Sequence, residues 1–325
     1  MLCISPNSVS PQEGSRPSIK MLREYKSPSD QEEALALTAP VPDLLPIHAF
    51  LKHSLQAPNR YNGRLRLFSS LGAKPQYWFA LITSLHERPA ILLFRDAEPA
   101  YEQKGYQRAL SMFLTEVAKI VEGANEIGTV SENILNYELV RLLPTFLPSH
   151  STLSRTPYHL FYMNKEQLKR LDLLELPLPY GYRFDAADND EDCRLIAETS
   201  DGTLSEETAR ERLSTLPSVL IRGPGGATVT HELTSPASGL THLFTHPDHR
   251  RRGLATAAEL KLAQQNAALG CIPFKGVSIY ATSISKSSEE SPFWTMLHRG
   301  GTPVEMVHHA FALEPQSDDN GTASH

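Results

Sequence analysis

The sequence has few cysteines, no long apolar run and no excess of positive charge, and each absence excludes a class of protein. Its three cysteines (Cys3, Cys193 and Cys271) are far apart and lack metal-ligand spacing, which excludes a disulfide framework and favours a reducing compartment. No apolar window is long enough for a transmembrane helix, so we expect a soluble protein without membrane insertion. A formal net charge of -6 gives no electrostatic basis for binding nucleic acid.

The chain nevertheless has enough apolar residues for a sizeable core. Its 325 residues are 40% hydrophobic and 21% charged, which suits two globular domains of ordinary size. Residues 1–30 are rich in Ser and Pro and lack the apolar segment of a secretory signal, so we expect a disordered tail. A second loose tail is expected at 315–325. The basic residues of the first tail faintly resemble an organelle transit peptide; they are Arg16, Lys20, Arg23 and Lys26.

Residues 31–165 are predicted to form an N-terminal α/β domain. The segment "VPDLLPIHAFLKHSL" favours a helix with Asp43 as its N-cap. Three strands are predicted from "RLRLFSS", "YWFALITS" and "AILLFRD", because β-branched and aromatic residues are bounded there by turn residues. Apolar periodicity predicts two further helices in "YQRALSMFLTEVAKIV" and "NILNYELVRLL", and "PYHLFYM" another strand. No reactive constellation is recognisable in this block.

After a linker at 166–180, residues 181–314 form a second predicted α/β domain. Its elements follow the order β-α-α-β-β-β-α-β-α-β, in which Ser205 caps the second helix. Strands are predicted in "SVLIR", "ATVTHEL", Leu240–Thr245, "GVSIYAT" and "VEMVHHAFAL", and a short helix in "SPFWTMLHR". The fold class is therefore mixed α/β, and a ligand is expected where the mixed sheet opens.

The turn in "LFTHPDHRRRGLATAAELKLAQ" is built as an anion site. A helix that begins near Arg251 directs unpaired backbone N–H groups and the positive end of its dipole outward. Gly253 lets the backbone approach a ligand closely, and Arg250, Arg251 and Arg252 add positive charge. The pattern fits a pyrophosphate, although arginines at a helix start are also commonly solvated.

The same residues resemble the GNAT acyltransferase superfamily. Its signature, Gln/Arg-x-x-Gly-x-Gly/Ala after the fourth strand, matches Arg250, Gly253 and Ala255, and Pro247 is also in register. More narrowly, the chain resembles the glycine N-acyltransferase family in "LPYGYRF", "SEETARERLSTLPSVLIRGPGGATVTHEL" and "GCIPFKGVSIYA". This resemblance covers roughly residues 176–300, and for the first block it rests on order and size alone.

The resemblance implies transfer of an acyl group from acyl-CoA or acetyl-CoA to the amine of glycine or another small amino acid, with no metal. It implies a GNAT fold in which the fourth and fifth strands splay apart around the thioester. Leu243, Phe244 and Thr245 would line the pantetheine arm. The pyrophosphate would be held by the turn, which comprises Arg250, Arg251, Arg252, Gly253, Leu254, Ala255 and Thr256. The protein would be mitochondrial if it shares the usual location of that family, and cytoplasmic otherwise.

Both proton-transfer residues of the family are missing here. The fourth-strand Glu, eleven residues before the signature Arg, corresponds to Gly239, and the Tyr after the fifth strand corresponds to Trp294. The substitutes that we consider for the base are His242, Glu232 and His231. Strand alternation places residue 242 on the opposite face from 239 unless a bulge intervenes.

Other histidines are assigned minor roles. His246 and His249 are expected to border the phosphates, and His308 and His309 to point to opposite faces of the last strand without binding a ligand. Three hypotheses follow: an N-acyltransferase for amino acids, an acyltransferase for another amine, and a non-catalytic CoA-binding protein. In each, the partners are small molecules.

Overall fold

The computed structural model describes residues 22–39, 41–56, 65–84, 86–186 and 190–314. The strands are β1 (Leu22–Glu24), β2 (Leu65–Ser70), β3 (Tyr77–Ile82), β4 (Ala90–Arg95), β5 (Glu126–Glu132), β6 (His150–Tyr162), β7 (Arg183–Asp185), β8 (Ser218–Arg222), β9 (Thr228–Thr234), β10 (Leu240–Thr245), β11 (Phe274–Ser278), β12 (Thr295–Met296), β13 (His298–Arg299), β14 (Thr302–Pro303) and β15 (Glu305–Leu313). The α-helices are α1 (Pro28–Thr38), α2 (Leu45–Gln56), α3 (Gln103–Val121), α4 (Asn133–Phe146), α5 (Lys165–Asp172), α6 (Asp190–Glu198), α7 (Glu206–Thr215), α8 (Leu254–Ala268) and α9 (Thr282–Glu289).

Across the described ranges, thirteen strands form one continuous mixed sheet. Its order is β1-β2-β3-β4-β5-β15-β6-β11-β10-β9-β8-β7, and the short β12 also pairs with β6. The pairs β4–β5 and β10–β11 are parallel, and each is connected through a long helix, α3 and α8 respectively. The two halves of the chain therefore repeat one motif, four antiparallel strands followed by a parallel crossover.

The two halves exchange strands where they meet. The last long strand of the chain, β15, lies between β5 and β6, and β6 lies between β15 and β11. The first half thus supplies a strand directly beside β11, and the end of the chain returns to complete the first half. Side chains from both halves consequently border the centre of the sheet.

Helices cover both faces of the sheet at β3 and β4, because these two strands are apolar and buried on both sides. On β3, Trp78 packs towards α1 and α2, and its neighbour Phe79 packs towards α3 and α4. We call the side of α1, α2, α6 and α7 face A, and the side of α3, α4 and α8 face B. The continuous apolar runs that predicted these strands reflect this two-sided burial.

The predicted strands of the second half coincide closely with β8, β9, β10 and β15, and the predicted helices of the first half with α3 and α4. The strand predicted from "PYHLFYM" is confirmed within β6, which begins seven positions earlier at His150. Ser205 caps α7 by accepting a hydrogen bond from the Thr208 N–H at 3.2 Å, as predicted.

Several predicted boundaries were wrong. The helix expected in "SPFWTMLHR" lies earlier, at α9, and the segment instead forms β12 and β13, because Thr295 and Met296 pair with β6. Asp43 does not cap α2; it lies in a short 3-10 turn and forms an ion pair with Arg299. These contacts join positions that are distant in sequence, and local periodicity does not reveal them.

The predicted tail and linker also contain regular structure. Residues 22–30 form β1 and the start of α1, where Ser27 and Asp30 make a reciprocal capping box. Residues 166–180 begin within α5, which is capped by Asn164. The remaining residues of both predicted tails, 1–21 and 315–325, lie outside the described residues.

A buried charge network fastens the second half to the first. Glu132, at the end of β5, accepts a hydrogen bond from Arg95 Nε at 3.0 Å and also pairs with Arg299, which in turn contacts Asp43. The Arg95 side chain is only 8% exposed, so its charge depends on this carboxylate. Removing one partner of such a buried pair leaves the other charge uncompensated.

We therefore expect Glu132→Ala to lower the free energy of unfolding by about 3 kcal/mol, since it leaves two guanidinium groups without their shared carboxylate. The measurement is urea denaturation monitored by circular dichroism. Glu290→Ala, which breaks the exposed pair with Lys286, is the matched control and should cost less than about 0.5 kcal/mol. Equal effects of the two substitutions would contradict the structural role of the network.

Candidate active site

The sheet opens between β10 and β11. These parallel strands pair at a single position, Leu240 with Lys275, and then diverge. Gly276, the next residue of β11, is exposed although Lys275 and Val277 on either side of it are buried. The edge of β10 that faces β11 thus has no strand partner beyond Leu240. This wedge-shaped gap, which we call the β10/β11 cleft, is the splay that the resemblance implied.

A bulge in β10 decides where His242 lies. The register with β9 shifts between Thr241 and Phe244, and His242 adopts φ 55° in the left-handed region. The β10 strand therefore contains the bulge that would change the face on which residue 242 lies. It directs the His242 ring to face A, where Nε2 lies 3.1 Å from Thr203 Oγ1, in the loop between α6 and α7.

The turn after β10 ends in a helix start that no side chain caps. The N-cap of α8 is Gly253, with φ 79°, and the first helical hydrogen bond runs from Ala257 N–H to Gly253 O at 3.0 Å. The backbone N–H groups of 254–256 therefore have no helical acceptor. The helix begins three residues later than expected, because Arg251 and Gly253 both have positive φ and interrupt it.

The predicted phosphate residues surround this helix start. Arg250, Arg251, Arg252 and Gly253 are all exposed, and Arg250 Nε donates to Thr245 O at 2.9 Å, which folds the turn back onto the end of β10. Thr256 is exposed, Ala255 is half-buried and Leu254 is anchored in the core below them. The arrangement combines free amides, the helix dipole and mobile positive charge at the mouth of the cleft.

The two turn histidines differ in their contacts. His249 Nδ1 lies 2.8 Å from the hydroxyl of Tyr182, which fixes the ring against the start of the second half. His246 is exposed, with Nδ1 3.8 Å from Asp248 Oδ2. Both histidines lie beside the helix start.

Residues 243–245, predicted to line the pantetheine arm, follow the free edge of β10. Leu243 is 40% exposed, and the half-buried Phe244 stacks on His231 with ring centroids 5.6 Å apart. Thr245 accepts a hydrogen bond from Thr230 at 3.1 Å, which ties the end of β10 to β9. The strand is thus supported on one edge and open on the other.

The equivalent place in the first half is closed. Its parallel strands β4 and β5 pair at four positions, and Arg95 and Glu132 bridge their ends. The Glu102 carboxylate accepts hydrogen bonds from the N–H groups of Lys104 and Gly105 and so occupies the start of α3 itself. Of the two crossover helices, therefore, α8 has a start that no side chain caps, and its counterpart α3 carries its own carboxylate.

Two of the predicted base residues lie together on face A. His231 Nε2 is 2.9 Å from Thr199 Oγ1, and burial lowers the pKa of His231 to about 4. Burial, followed by the charge of Arg212 and the neighbouring His231, lowers the pKa of His242 to about 4 as well. Both imidazoles are therefore neutral at physiological pH.

Glu232, the other predicted base, lies on face B and opposite the β10 bulge. It is buried, and its pKa is raised well above the usual range by burial and by the nearby Glu259 carboxylate, which outweigh the attraction of Lys275. Within the described chain its Oε2 atom has no hydrogen-bond partner. Glu232 thus carries a proton at neutral pH and is a donor rather than an acceptor.

Packing fixes Gly239 and Trp294, the two positions at which the resemblance placed proton-transfer residues. A Cβ on Gly239 would lie 2.9 Å from Cε2 of Phe274, so a Glu there would displace a core aromatic ring. Trp294 is buried, and its Nε1–H donates a hydrogen bond to Glu259 Oε2 at 2.8 Å. The ammonium group of Lys275 lies over the Trp294 ring, 4.5 Å from the ring centroid. Neither position offers a titratable group to the cleft.

A loop of the first half closes over face A and was missed in the sequence. Glu87, between β3 and β4, binds Arg212 of α7 through two hydrogen bonds of 2.7 and 2.8 Å, and Arg212 approaches His242 Nδ1 at 3.4 Å. Thr208 Oγ1 also donates to His86 O at 2.7 Å. No local signal marks these residues, because the partners are more than a hundred positions apart.

His308 and His309 point to opposite faces of β15, as predicted. His309 is buried and contacts Asn136 Oδ1 and Thr152 Oγ1, each at 3.1 Å. His308 is accessible on face A, and desolvation together with the charge of Arg88 lowers its pKa to about 4.

The described residues contain neither a cluster of metal ligands nor a helix suited to a membrane. Among them no group of three or more His, Cys, Asp or Glu residues is arranged to hold a metal ion. No helix in the described ranges is both long and apolar enough to cross a membrane.

Known structures share this fold at low sequence identity. A Drosophila protein matches with a TM-score of 0.64 and 13% identity, over 91% of this chain and 99% of that one. A putative acetyltransferase from Pyrococcus horikoshii matches with a TM-score of 0.52 and 10% identity, over 94% and 95% of the two chains. A tandem GNAT protein from the clavulanic acid biosynthesis pathway gives 0.50 and 12%, over 91% and 100%.

These similarities confirm the predicted GNAT fold, and the tandem GNAT protein matches the arrangement in two halves. No family model matches the sequence, and no curated protein matches it in sequence. The narrower resemblance to glycine N-acyltransferases stays a prediction.

The protonated state of Glu232 has a measurable effect on stability. The pKa of Glu232 is higher in the folded than in the unfolded protein. Its contribution to the free energy of unfolding is therefore fully present below about pH 4.5 and is lost as the pH rises. Glu232→Gln keeps the shape of the side chain but cannot ionise, so it removes this pH-dependent loss of stability. We expect the variant to become progressively more stable than the parent as the pH rises from 4 to 8, because only the parent loses this contribution.

Thermal unfolding at several pH values tests this expectation. Glu122→Gln, at an exposed carboxylate, serves as the control and should track the parent at every pH. A constant difference between Glu232→Gln and the parent across this range would show that Glu232 is ionised in the folded protein.

Proposed function

We propose that the protein is an acyl-CoA-dependent N-acyltransferase whose acceptor is glycine or another small amino acid. The observation that carries the proposal is the uncapped start of α8, placed at the mouth of a cleft where two parallel strands separate. The GNAT fold supports an acyl-CoA co-substrate, and the resemblance in the second half supports the amino-acid acceptor.

The diphosphate of CoA would bind the free N–H groups of 254–256, with Arg250–Arg252 compensating its charge. From there the pantetheine arm would follow the open edge of β10 past Thr245, Phe244 and Leu243, where unpaired backbone groups can bind its amides. This path leads the thioester inward to the point where β10 and β11 meet. The coenzyme site would thus lie within 181–314, and 31–165 would border it through β6, which pairs with β11.

The cleft has no strong general base to remove the proton from the amine. His242 is neutral above about pH 5, and its lowered pKa makes it a weak base. Both of its ring nitrogens already have partners, Thr203 at Nε2 and Thr241 and Arg212 at Nδ1, so it can take the proton of the amine only by giving up one of these contacts. Glu232 is protonated and lies on the other face. We infer that His242 and solvent share the transfer, and that positioning supplies much of the acceleration.

A non-catalytic CoA-binding protein is the second candidate. Gly239 and Trp294 at the two proton-transfer positions favour it, because both are fixed by packing. Transfer to another amine shares the coenzyme site and differs only in the acceptor. Release of CoA from acetyl- or benzoyl-CoA, assayed with glycine, glutamine and simple amines, separates these three possibilities.

The anion site gives a direct binding prediction. Arg250→Glu and Gly253→Glu should each raise the dissociation constant for CoA at least about tenfold, or about 1.4 kcal/mol, because each adds negative charge where the diphosphate binds. A Cβ on Gly253 meets no atom within 4 Å, but its φ of +79° strains any residue with a side chain, so Arg250→Glu is the variant that tests charge without backbone strain. Isothermal titration calorimetry measures the affinity and should give one CoA per chain.

Arg108→Glu, on the exposed side of α3 in the closed first half, is the control for charge alone and should leave CoA affinity unchanged. If both turn variants kept the affinity of the parent, this turn would not be the coenzyme site. Binding of two CoA molecules would contradict the closure of the first half.

The state of His242 predicts the pH dependence of turnover. Because its pKa is lowered to about 4, the neutral ring is fully populated above about pH 5. After correction for the fraction of free amine, kcat/KM should show no inflection near pH 6.5. His242→Ala should lower kcat at least about tenfold, and His246→Ala should not. An inflection near 6.5 that disappears in His242→Ala would refute the buried neutral state.

A further inference from the structure

Tyr158 lies on β6, the strand that the first half contributes beside β11, and its ring crosses that strand. A Cβ on Gly276 would lie 2.7 Å from Cδ2 and 2.9 Å from Cε2 of Tyr158. Only glycine at 276 leaves room for the ring. Because Gly276 is the first residue of β11 beyond its pair with β10, the phenol lies at the inner end of the β10/β11 cleft.

The hydroxyl group of Tyr158 lacks a partner. The residue is only 8% exposed, and its hydroxyl makes no hydrogen bond within the described part of the chain. Burial raises the pKa of the phenol, so it keeps its proton at neutral pH and is a neutral donor. The hydroxyl oxygen is not among the fully buried polar atoms that lack a partner, so solvent reaches it, and a ligand atom can replace water as its acceptor.

The surroundings of Tyr158 are open on face A. His308 packs against its ring with centroids 5.6 Å apart and is itself accessible, and Gly276 is exposed beside it. His242 lies on the same face, on the opposite strand of the cleft. The cleft therefore has a phenol from the first half on one side and an imidazole from the second half on the other.

The direction of the coenzyme determines which atom Tyr158 would meet. The diphosphate site lies beyond the far end of β10, so the arm runs inward and the acyl group, at the end of the arm, reaches the inner end. We propose that Tyr158 donates a hydrogen bond to the carbonyl oxygen of the acyl thioester and stabilises its negative charge during transfer; this rests on the proposed function.

The step is balanced with groups already described. The amine nitrogen forms a bond to the carbonyl carbon, and the carbonyl electron pair moves onto the oxygen held by Tyr158. The pair returns as the carbon–sulfur bond breaks and CoA thiolate leaves, and the proton of the amine passes to His242 or solvent. Tyr158 keeps its proton throughout, so the catalytic centre would be shared by both halves.

Two CoA analogues test the hydrogen bond without turnover. One is the ketone in which CH₂ replaces the sulfur of acetyl-CoA, which keeps the carbonyl; the other is S-ethyl-CoA, which lacks it. In calorimetry, Tyr158→Phe should weaken binding of the ketone about tenfold and leave binding of S-ethyl-CoA unchanged. Turnover of acetyl-CoA should fall about a hundredfold in kcat, as for loss of one oxyanion donor.

Tyr162→Phe is the matched control, since this tyrosine lies on the same strand and face and is only half-buried. It should change neither affinity. Equal weakening of both analogues by Tyr158→Phe would make the residue structural and overturn the proposal, as would no weakening of either. If the parent bound the ketone no more tightly than S-ethyl-CoA, the hydrogen bond to the carbonyl oxygen would be absent and the proposal would be overturned. If the parent bound neither analogue, the proposed function itself would fail.

Discussion

The separation of β10 from β11 after one pair of residues is the constraint on which the site depends. It frees the edge of β10, exposes Gly276 and leaves the start of α8 at the mouth of a cleft. The first half shows the alternative outcome of the same motif. There, four strand pairs and the Arg95–Glu132 bridge keep β4 and β5 together, so no cleft forms between them.

The exchange of β6 and β15 makes each half incomplete without the other. β6 borders β11 and supplies Tyr158, and β15 fills the gap between β5 and β6. The Glu87–Arg212 pair adds a polar contact across face A, next to His242. Although the two halves repeat one motif, the sheet and its buried charges hold them together as a unit.

The parts of the structure that depend on local signals were predictable from the sequence. The turn at 246–253 and the strands around it follow from proline, glycine and β-branched residues, and the resemblance gave their arrangement. The bulge at His242, the ring of Tyr158 across Gly276 and the displaced helix α9 were not predictable. Each depends on a partner strand or ring far away in sequence, which periodicity does not register.

The carboxylate of Glu102 binds the start of α3 as an intramolecular ligand, so this anion-binding position is already occupied. Because the blocking group is attached one residue before the helix, its effective concentration far exceeds that of any free phosphate. A dissolved anion would have to displace this attached carboxylate in order to bind there. Of the two repeated crossovers, one thus holds an intramolecular anion at its helix start, and the other leaves that place for the coenzyme of the proposed function.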